Sequence, residues 1–503
     1  MRQNLGPTQP LAVIVSLSLI GLAANVARAQ DAAIARPAER LSVPMDGTQI
    51  QIAAMKDEIA ALSAQIADLK QAMSASLKDV RAGQATQPQV TLANGRPTFS
   101  TADGMTSVAI RGVIQFDAAL YDVSPLTTAN DLGSGTNFRR ARLGLDGNVF
   151  GNWTYALWGE FGGSGGEAAV LNQAYLEYSG WKPFGLTSPV RLRVGAWATP
   201  TGLEDATSNT DSLFLERPAA AELVRSLAGG DGRTGVGIFA NEDHWYASAT
   251  LTGKLVGVPA IPEFGQQRGY LTRVAFNPLH GPDYDLHLGA NVQGILRPAD
   301  TAAGPAVLRS LRLRERPETR VDGGRLVDTN SLAANGATAY GLEFGASWKT
   351  LLLAGETFKI DVDRSGIGPA ASNPTFKGWY VAGAWTMTGE RHAWAPANGG
   401  FRGIRPARLF DPNHDTWGAI EVAGRYSVLN LDDHRGAFGS LAPLGGVRGG
   451  EQTITTLGLN WYPNPVVRFL VDQQWINVDR LSGSGVQIGE DVQVTSLRAQ
   501  AAF

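Results

Sequence analysis

The chain has 503 residues, a net charge of −3 and no cysteine. The lack of cysteine excludes disulfides, thiol catalysis and cysteine-based metal sites, and it suits an oxidising compartment where free thiols are a liability. The near-neutral charge gives no basic signal for nucleic acid, so we expect no nucleic-acid partner. Charged residues make up 18% and the mean hydropathy is −0.09, which excludes a disordered chain and a helical membrane protein.

Residues 1–29 are predicted to be a secretory signal peptide. Arg2 is the only early side-chain charge, an apolar run extends from Leu11 to Ala24, and Ala27-Arg28-Ala29 is a small-x-small cleavage site. A transmembrane helix is the competing interpretation, but the run is shorter than the ~20 residues that span a bilayer. We therefore expect an exported chain that starts near Gln30 and, if it enters a membrane, crosses it as a barrel.

Residues 30–81 are predicted to form a periplasmic coiled-coil segment. Apolar residues recur there at alternating spacings of three and four, namely Ile52, Met55, Ile59, Leu62, Ile66, Leu69 and Met73. This seven-residue repeat is typical of a self-associating helix. The alternative is a single amphipathic helix packed on the barrel. Isoleucine with leucine in the core favours a coiled coil of two helices. An attached barrel would instead impose its own symmetry on the helices. Residues 82–106 are polar, with glycine and proline, and are predicted to be a linker.

Residues 107–503 are predicted to form an all-β transmembrane barrel. Hydrophobic and polar residues alternate there with a period of two, as in Ile110, Gly112, Ile114 and Phe116 against Arg111 and Gln115. Such alternation lets one face meet lipid and the other meet water. We predict sixteen antiparallel strands, each long enough to cross at a tilt, at residues 107–121, 137–150, 153–162, 168–180, 189–198, 233–241, 243–254, 267–278, 284–296, 339–349, 351–362, 376–389, 416–430, 451–463, 465–479 and 490–503.

The connections between these strands alternate between short and long, as in bacterial outer-membrane barrels. One connection, 390–415, is an exception because it is long on the side of the short turns. Aromatic residues fall near strand ends, as an aromatic girdle requires. The chain ends on Phe503, which resembles the C-terminal signal that barrel assembly machinery recognises. A soluble β-sandwich is the alternative, but it would not require a signal peptide, alternating turns and a terminal phenylalanine together.

We find no sign of an enzyme in the sequence. The six histidines lack metal-ligand spacing, and no G-x-S-x-G, HExxH or Walker motif is present. The glycine-rich stretches 162–166 and 229–235 lack the strand-to-helix context of a phosphate loop. We therefore predict no enzymatic activity, no cofactor and no metal. A barrel hydrolase with a Ser/His pair on its outer surface is the open alternative.

Arginines on the predicted inward faces suggest an anion pathway, because the guanidinium fork pairs with phosphate or carboxylate oxygens two at a time. The candidates are Arg111, Arg140, Arg142, Arg191, Arg193, Arg425, Arg468 and Arg498. Barrel interiors also carry ion-pair networks, so the alternative is that about half of these arginines are paired with carboxylates such as Asp117, Asp146, Glu160, Glu177 and Asp472.

Six stretches of the chain resemble the phosphate-selective porin O and P family, in the family's order across 107–503. They are Phe138-Arg139-Arg140-Ala141-Arg142-Leu143, Ala174-Tyr175-Leu176-Glu177-Tyr178, Gly202-Leu203-Glu204 with Thr207-Ser208, Leu215-Glu216-Arg217, Trp385 to Glu390, and Leu457 to Tyr462. The resemblance implies a sixteen-stranded, trimeric anion channel in which the third long loop, here 199–232, folds into the lumen.

The resemblance also implies an anion site, made by paired arginines of the second strand with residues of the third long loop. Carried over by position, its residues are Arg139, Arg140, Ser208 and Arg217, and Arg111 and Arg142 join them as lumen-facing cations. Simple alternation points Arg139 and Arg140 to opposite faces. Both can therefore reach one site only if the backbone bulges or the strand starts later.

Several positions depart from the pattern of phosphate-specific members. Val113 stands where an inward arginine is expected, Asp205 and Thr210 where lysines are expected, and Asn209 where a second serine is expected. Together with Glu204, the residues Asp205, Asn209 and Thr210 are predicted to modulate the constriction. The loss of two cations and the gain of a carboxylate should weaken a compact phosphate site.

We therefore predict an outer-membrane porin that passes small hydrophilic solutes passively, with a preference for phosphate-like or organic anions. The expected partners are two further copies in a homotrimer, outer-membrane lipid, the barrel assembly machinery and small anionic solutes. The alternative is a structural anchor, in which the coiled coil reaches peptidoglycan and the barrel mainly holds the chain in the membrane.

Overall fold

The computed structural model describes residues 47–84, 87–93, 95–124, 132–163, 171–256, 265–300, 309–366 and 373–503. The predicted signal peptide and its cleavage site lie outside these residues. Within the described ranges, no helix is both long and apolar enough to cross a membrane.

The predicted N-terminal helix is confirmed as α1, Gly47–Gln84. The apolar residues of its seven-residue repeat are all exposed in the single chain, from 49% at Ile52 to 64% at Met73. An exposed apolar stripe on a long helix is unfavourable in water, since each side chain gains about 1.5–3 kcal/mol on burial. The stripe is consistent with the predicted self-association, which stays a prediction.

The predicted fold class is confirmed, because sixteen antiparallel strands close into one barrel. Each strand pairs with the next along the chain, and the last pairs with the first, from Asp491 opposite Ser124 to Ala502 opposite Val113. The strands are β1 Ser107–Ser124, β2 Gly135–Val149, β3 Trp153–Glu160, β4 Leu171–Trp181, β5 Val190–Trp197, β6 Arg233–Glu242, β7 Trp245–Leu255, β8 Arg268–His280, β9 Tyr284–Arg297, β10 Leu332–Trp348, β11 Leu351–Arg364, β12 Thr375–Thr386, β13 Ala419–Asp433, β14 Val447–Tyr462, β15 Val467–Asp479 and β16 Asp491–Ala502.

The connections divide the barrel into a short-turn end and a long-loop end. The third long loop, 198–232, contains α2 Leu203–Ala206 and α3 Ala219–Ala228. The fifth long loop is 298–331, and the long turn 387–418 is the exception at the short-turn end. Two-residue strands lie in these connections, at Ser310–Leu311, Arg314–Glu315, Val327–Asp328, Trp394–Ala395, Gly400–Phe401, Phe410–Asp411 and Thr416–Trp417, and 3₁₀ turns lie at Pro183–Gly185 and Pro412–His414.

The barrel wall is apolar outside and polar inside. On β10, Leu342 is 63% exposed, whereas its neighbour Glu343 is 4% exposed and points into the lumen. A water-soluble sheet would bury the leucine and expose the glutamate. The reversed pattern is the one that a lipid-facing barrel requires.

Part of the predicted linker is an ordered hairpin. Strands Gln89–Ala93 and Arg96–Ser100 pair with each other, and the second continues onto β1, with Thr98 opposite Ala109. This hairpin, named here the N-terminal hairpin, therefore extends the barrel sheet. The hairpin was not predicted from the sequence, because the segment is short and lacks a strong apolar alternation. The largest boundary difference is at β10, which begins at residue 332 and not at 339.

One side of the lumen is filled by an apolar core around α3. Leu223, Val224 and Leu227 are at most 3% exposed, and they belong to the same buried cluster as Phe358 and Phe376 of β11 and β12. The third long loop is thus held against the inner wall of β8, β9, β11, β12 and β13. The rest of the lumen is lined by polar side chains.

The last residue of the chain closes the barrel seam. The N–H of Phe503 donates to the Gly112 carbonyl at 3.0 Å, and the N–H of Gly112 donates to the Phe503 carbonyl at 3.0 Å. The phenyl ring covers Gly112, where an added Cβ would lie 2.4 Å from the ring carbon Cζ. Glycine at this position is therefore required for the ring to lie on the strand.

We expect deletion of Phe503 and the substitution Gly112→Ala both to reduce the amount of folded barrel in the outer membrane, because each displaces the ring from the seam. Heat-modifiable protein in outer-membrane fractions measures this. Gly424→Ala is the matched control, since a Cβ there meets no atom closer than 3.7 Å. Normal levels of folded protein after deletion of Phe503 would contradict the role of the ring.

A chain that begins at residue 87 behind a signal sequence should still insert and conduct, because it lacks α1 but keeps the N-terminal hairpin on β1. Planar-bilayer recording measures this. If that chain forms no channels, α1 is part of the pore fold and the predicted division of the chain is wrong. A chain that begins at residue 101 tests the hairpin separately.

Candidate functional site: a cationic cavity in the lumen

The lumen contains a cavity of about 520 Å³ beside the third long loop. Toward the short-turn end it is bounded by the N-terminal hairpin, Pro465 and Phe503, and on its other side by residues 205–217 of the loop. Among the described residues that line it are six arginines and two aspartates, namely Arg96, Arg111, Arg142, Arg217, Arg225, Arg405, Asp205 and Asp231. The surface that a solute meets is therefore mainly cationic.

Carboxylates of the barrel wall hold the backbone of the third long loop. Glu356 of β11 accepts the N–H groups of Leu203 and Glu204 at 2.8 and 3.0 Å. Asp472 of β15 accepts the N–H of Leu215 at 2.8 Å. Because these amides are buried, each would be costly to leave unpaired. The loop position is thus determined by the wall.

Several arginines predicted to face solutes instead bind carbonyls of this loop. Arg498 donates to the Leu215 carbonyl at 2.5 Å and Arg425 to the Glu216 carbonyl at 3.0 Å. Arg468 donates to the Thr210 carbonyl at 3.2 Å. These groups therefore position the constriction, and their charge is partly used within the protein.

The fifth long loop covers the third. Glu318 accepts from the N–H of Ala219 at 2.8 Å and pairs with Arg425 at 2.5 Å, and it has a positive φ of 58°. Arg320 lies 2.9 Å from Glu222 and 3.3 Å from Glu216. A space of only about 10 Å³ remains between the two loops beside these residues. Ion pairs thus connect the two loops tightly.

The long turn also enters the lumen, from the short-turn end. The Asn398 side chain donates to the Ala206 carbonyl at 2.7 Å, and Arg273 donates to the carbonyls of Asn398 and Gly399, both at 2.6 Å. Arg405 lies 3.2 Å from Asp211 of the third long loop. The unexpected length of this connection is therefore explained by its contact with the constriction.

A β-bulge brings the predicted arginine pair to one side of the strand. The register of β1 and β2 shifts between Gln115 and Phe116, which lie opposite Arg140 and Phe138, so Arg139 is the extra residue. A bulge re-aims the side chain that it carries. Arg139 consequently pairs with Glu216 at 2.6 Å, while Arg140 donates to the Gln115 side chain at 2.5 Å.

Among the residues that the structure describes, six arginines and six carboxylates are joined by ion pairs into one central network. Its members are Arg139, Arg142, Arg217, Arg225, Arg320 and Arg498 with Asp117, Glu160, Asp205, Glu216, Glu222 and Asp231. Arg140 adjoins this network and interacts with its charges. It is 2% exposed, and no carboxylate of the described residues lies within 4.0 Å of it. Arg140 therefore lies beside the network without a direct ion-pair partner among the described residues.

Asp205 lies where the sequence analysis expects competition for the loop arginines. Its Oδ1 is 3.3 Å from Arg217 and 2.6 Å from Arg225. Two unit charges ~4 Å apart interact by ~4 kcal/mol at an effective dielectric of ~20. An anion that approaches Arg217 must therefore compete with Asp205.

Two loop carboxylates of the network, Asp231 and Glu222, remain ionised at neutral pH. Burial alone would raise the pKa of Asp231, but the charges of Arg225 and Arg142 outweigh it and hold that pKa well below its usual value. Burial would likewise raise the pKa of Glu222, but the charges of neighbouring arginines overcome this effect and lower that pKa to about 2. The ion pairs of these two carboxylates are thus independent of pH in the physiological range.

The other predicted residues divide between the cavity and the loop interior. Arg111, Arg142, Ser208, Asn209, Thr210 and Arg217 line the cavity, as does Val113, whereas Arg139, Arg140 and Glu204 are not among its lining residues. The Ser208 and Thr210 hydroxyls lie 2.9 Å apart. The Asn209 carbonyl accepts from Gln115 at 3.3 Å. Burial raises the pKa of Glu204.

Sequence reasoning missed Arg96, Arg225, Asp231 and Arg405 as site residues. Arg225 and Glu222 stand three residues apart on α3, a spacing that indicates an ion pair and could have identified them. Arg96 and Arg405 come from segments distant in sequence, and no local pattern relates them to the lumen.

No group of histidine, aspartate and glutamate in the described residues is arranged to hold a metal ion. Two buried histidines contact glutamate side chains instead. His392 lies 2.5 Å from Glu421, and His287 lies 3.1 Å from Glu343.

Comparison with known proteins shows the family to which the chain belongs. The family described as phosphate-selective porin O and P matches residues 108–503. An uncharacterized protein of Caulobacter vibrioides is 25% identical over 453 residues and 83% of each chain, and Porin O of Pseudomonas aeruginosa is 24% identical over 418 residues, covering 79% of this chain and 89% of that one.

Among solved structures, the anion-selective porin from Comamonas acidovorans is 14% identical, with a TM-score of 0.44 over 79% of this chain and all of that one. The trimer form of OmpT from Vibrio cholerae is 12% identical, with a TM-score of 0.44 over 79% of this chain and 99% of that one.

We expect Glu356→Ala to loosen the third long loop, because the buried N–H groups of Leu203 and Glu204 lose their acceptor, at a cost of about 1–3 kcal/mol for each unpaired donor. Single-channel recording should show a noisier and larger current. Asp361→Ala is the matched control, since this carboxylate lies on the same strand but pairs with Lys359. An unchanged current in the Glu356 variant would contradict the anchoring role.

Proposed function

Because the chain belongs to the phosphate-selective porin O and P family, whose barrels are outer-membrane channels, we propose that this barrel conducts small solutes passively and prefers anions to cations. The observation that carries the proposal is the lining of the cavity, in which six arginines face two aspartates. An aqueous lumen lined by guanidinium groups lowers the cost of anion dehydration.

Arg140 supports an anion preference from within the wall. Among the described residues the central network has equal numbers of arginines and carboxylates, so the guanidinium of Arg140 adds to the local positive potential. In a narrow, low-dielectric channel, an uncompensated charge acts over a longer range than it would in bulk water.

Asp205 supports a weak preference over a strong phosphate site. It occupies the guanidinium groups of Arg217 and Arg225, which line the same cavity. The channel is therefore proposed to favour phosphate-like and organic anions without the tight binding that a free cluster of cations would provide.

The proposed assembly is a homotrimer in outer-membrane lipid, inserted by machinery that recognises Phe503. The exposed stripe of α1 would associate with the same stripe of two further copies.

A structural anchor is the second candidate function, and the filled lumen favours it. Both long loops and the long turn enter the barrel, and residues 47–79 of α1 are exposed. Planar-bilayer conductance separates the two candidates, since a porin gives discrete current steps and a plugged anchor gives none.

We expect Arg140→Ala to lower the anion-to-cation permeability ratio and Asp205→Asn to raise it, because the first removes a guanidinium without a direct ion-pair partner and the second removes a negative charge that pairs with two arginines. Reversal potentials in a salt gradient measure both. Arg435→Ala and Asp479→Asn are matched controls, because these residues pair with each other outside the cavity. A cation-selective wild-type channel, or an unchanged ratio in Arg140→Ala, would overturn the proposal.

A further inference from the structure

Two arginines share one carboxylate where the N-terminal hairpin meets the barrel. Arg96 of the hairpin lies 2.7 Å from Asp146 of β2, and Arg111 of β1 lies 2.7 Å from the other oxygen of the same carboxylate. Asp146 is the only described residue that accepts hydrogen bonds from either guanidinium. The three side chains therefore carry a net positive charge.

These two arginines are accessible, unlike those of the central network. Their side chains are 31% and 35% exposed, whereas Arg142, Arg217 and Arg225 are 7–8% exposed. Both line the cavity, at the part bounded by the hairpin. A solute at the short-turn end can thus reach them without displacing a loop.

The two guanidinium groups also repel each other. Burial, and next the charge of Arg111, lower the pKa of Arg96 more than Asp146 raises it. An additional anion would relieve this repulsion, and the planar fork of each arginine offers two donors to a phosphate or carboxylate.

We propose that Arg96 and Arg111 form an oxyanion-binding site at the short-turn end of the cavity, separate from the arginine pair at 139–140. The proposal rests on the proposed anion channel and names the second place where a phosphate or carboxylate group is held on its passage. One of the two arginines comes from the hairpin, so the site is complete only when the hairpin is paired with β1.

The test is block of single-channel chloride current by phosphate or by acetate, added on the short-turn side of the full-length channel. Arg96→Gln and Arg111→Gln should each weaken block about two- to fivefold, the range for partly exposed charge contacts. Asp146→Asn should strengthen it, because both guanidinium groups lose their internal partner. Arg435→Gln is the matched control, since this arginine lies outside the cavity and should leave block unchanged.

The two anions identify the ligand chemistry. Block by both supports a general oxyanion site, and block by only one supports a phosphate site or a carboxylate site accordingly. The inference is overturned if the wild-type channel is anion-selective and neither anion blocks it, or if Arg96→Gln and Asp146→Asn leave block unchanged. A cation-selective wild-type channel overturns the proposed function itself, so the two failures are distinguishable.

Discussion

The pairing of β16 with β1 is the contact on which the rest of the structure depends. In lipid, every backbone N–H and C=O of a spanning strand must find a partner within the protein, and only a closed barrel leaves no edge. The seam is twelve residue pairs long and is extended by the hydrogen bonds of Phe503 to Gly112. Closure then forces alternate side chains into a shared interior.

That interior concentrates charge, and the charge organises the loops. A buried guanidinium without a partner is costly, so carboxylates of the third and fifth long loops neutralise the wall arginines and are held in turn by them. Glu216 illustrates the result, because it pairs with Arg139, Arg320 and Arg498. Most lumen arginines are therefore structural, and selectivity depends on the few whose charge remains uncompensated or accessible.

The constriction is built from both ends of the barrel. The third and fifth long loops enter from one end, and the long turn and the N-terminal hairpin complete the cavity from the other. Near the loops, a solute would therefore meet arginines that are paired with carboxylates. Near the hairpin, it would meet the exposed guanidinium groups of Arg96 and Arg111. This asymmetry separates the positioning of the constriction from the recognition of the anion.

The sequence by itself determined the barrel, its sixteen strands and α1, because periodicities of two and of three to four report local backbone geometry directly. It also indicated that Arg139 and Arg140 could reach one site only if the backbone bulged or the strand started later. Only the tertiary structure decided which arginines are neutralised, that Arg96 joins Arg111, and that Asp205 binds Arg217 and Arg225. These contacts join segments far apart in the chain, and an ion pair between such segments depends on loop paths that no local pattern encodes.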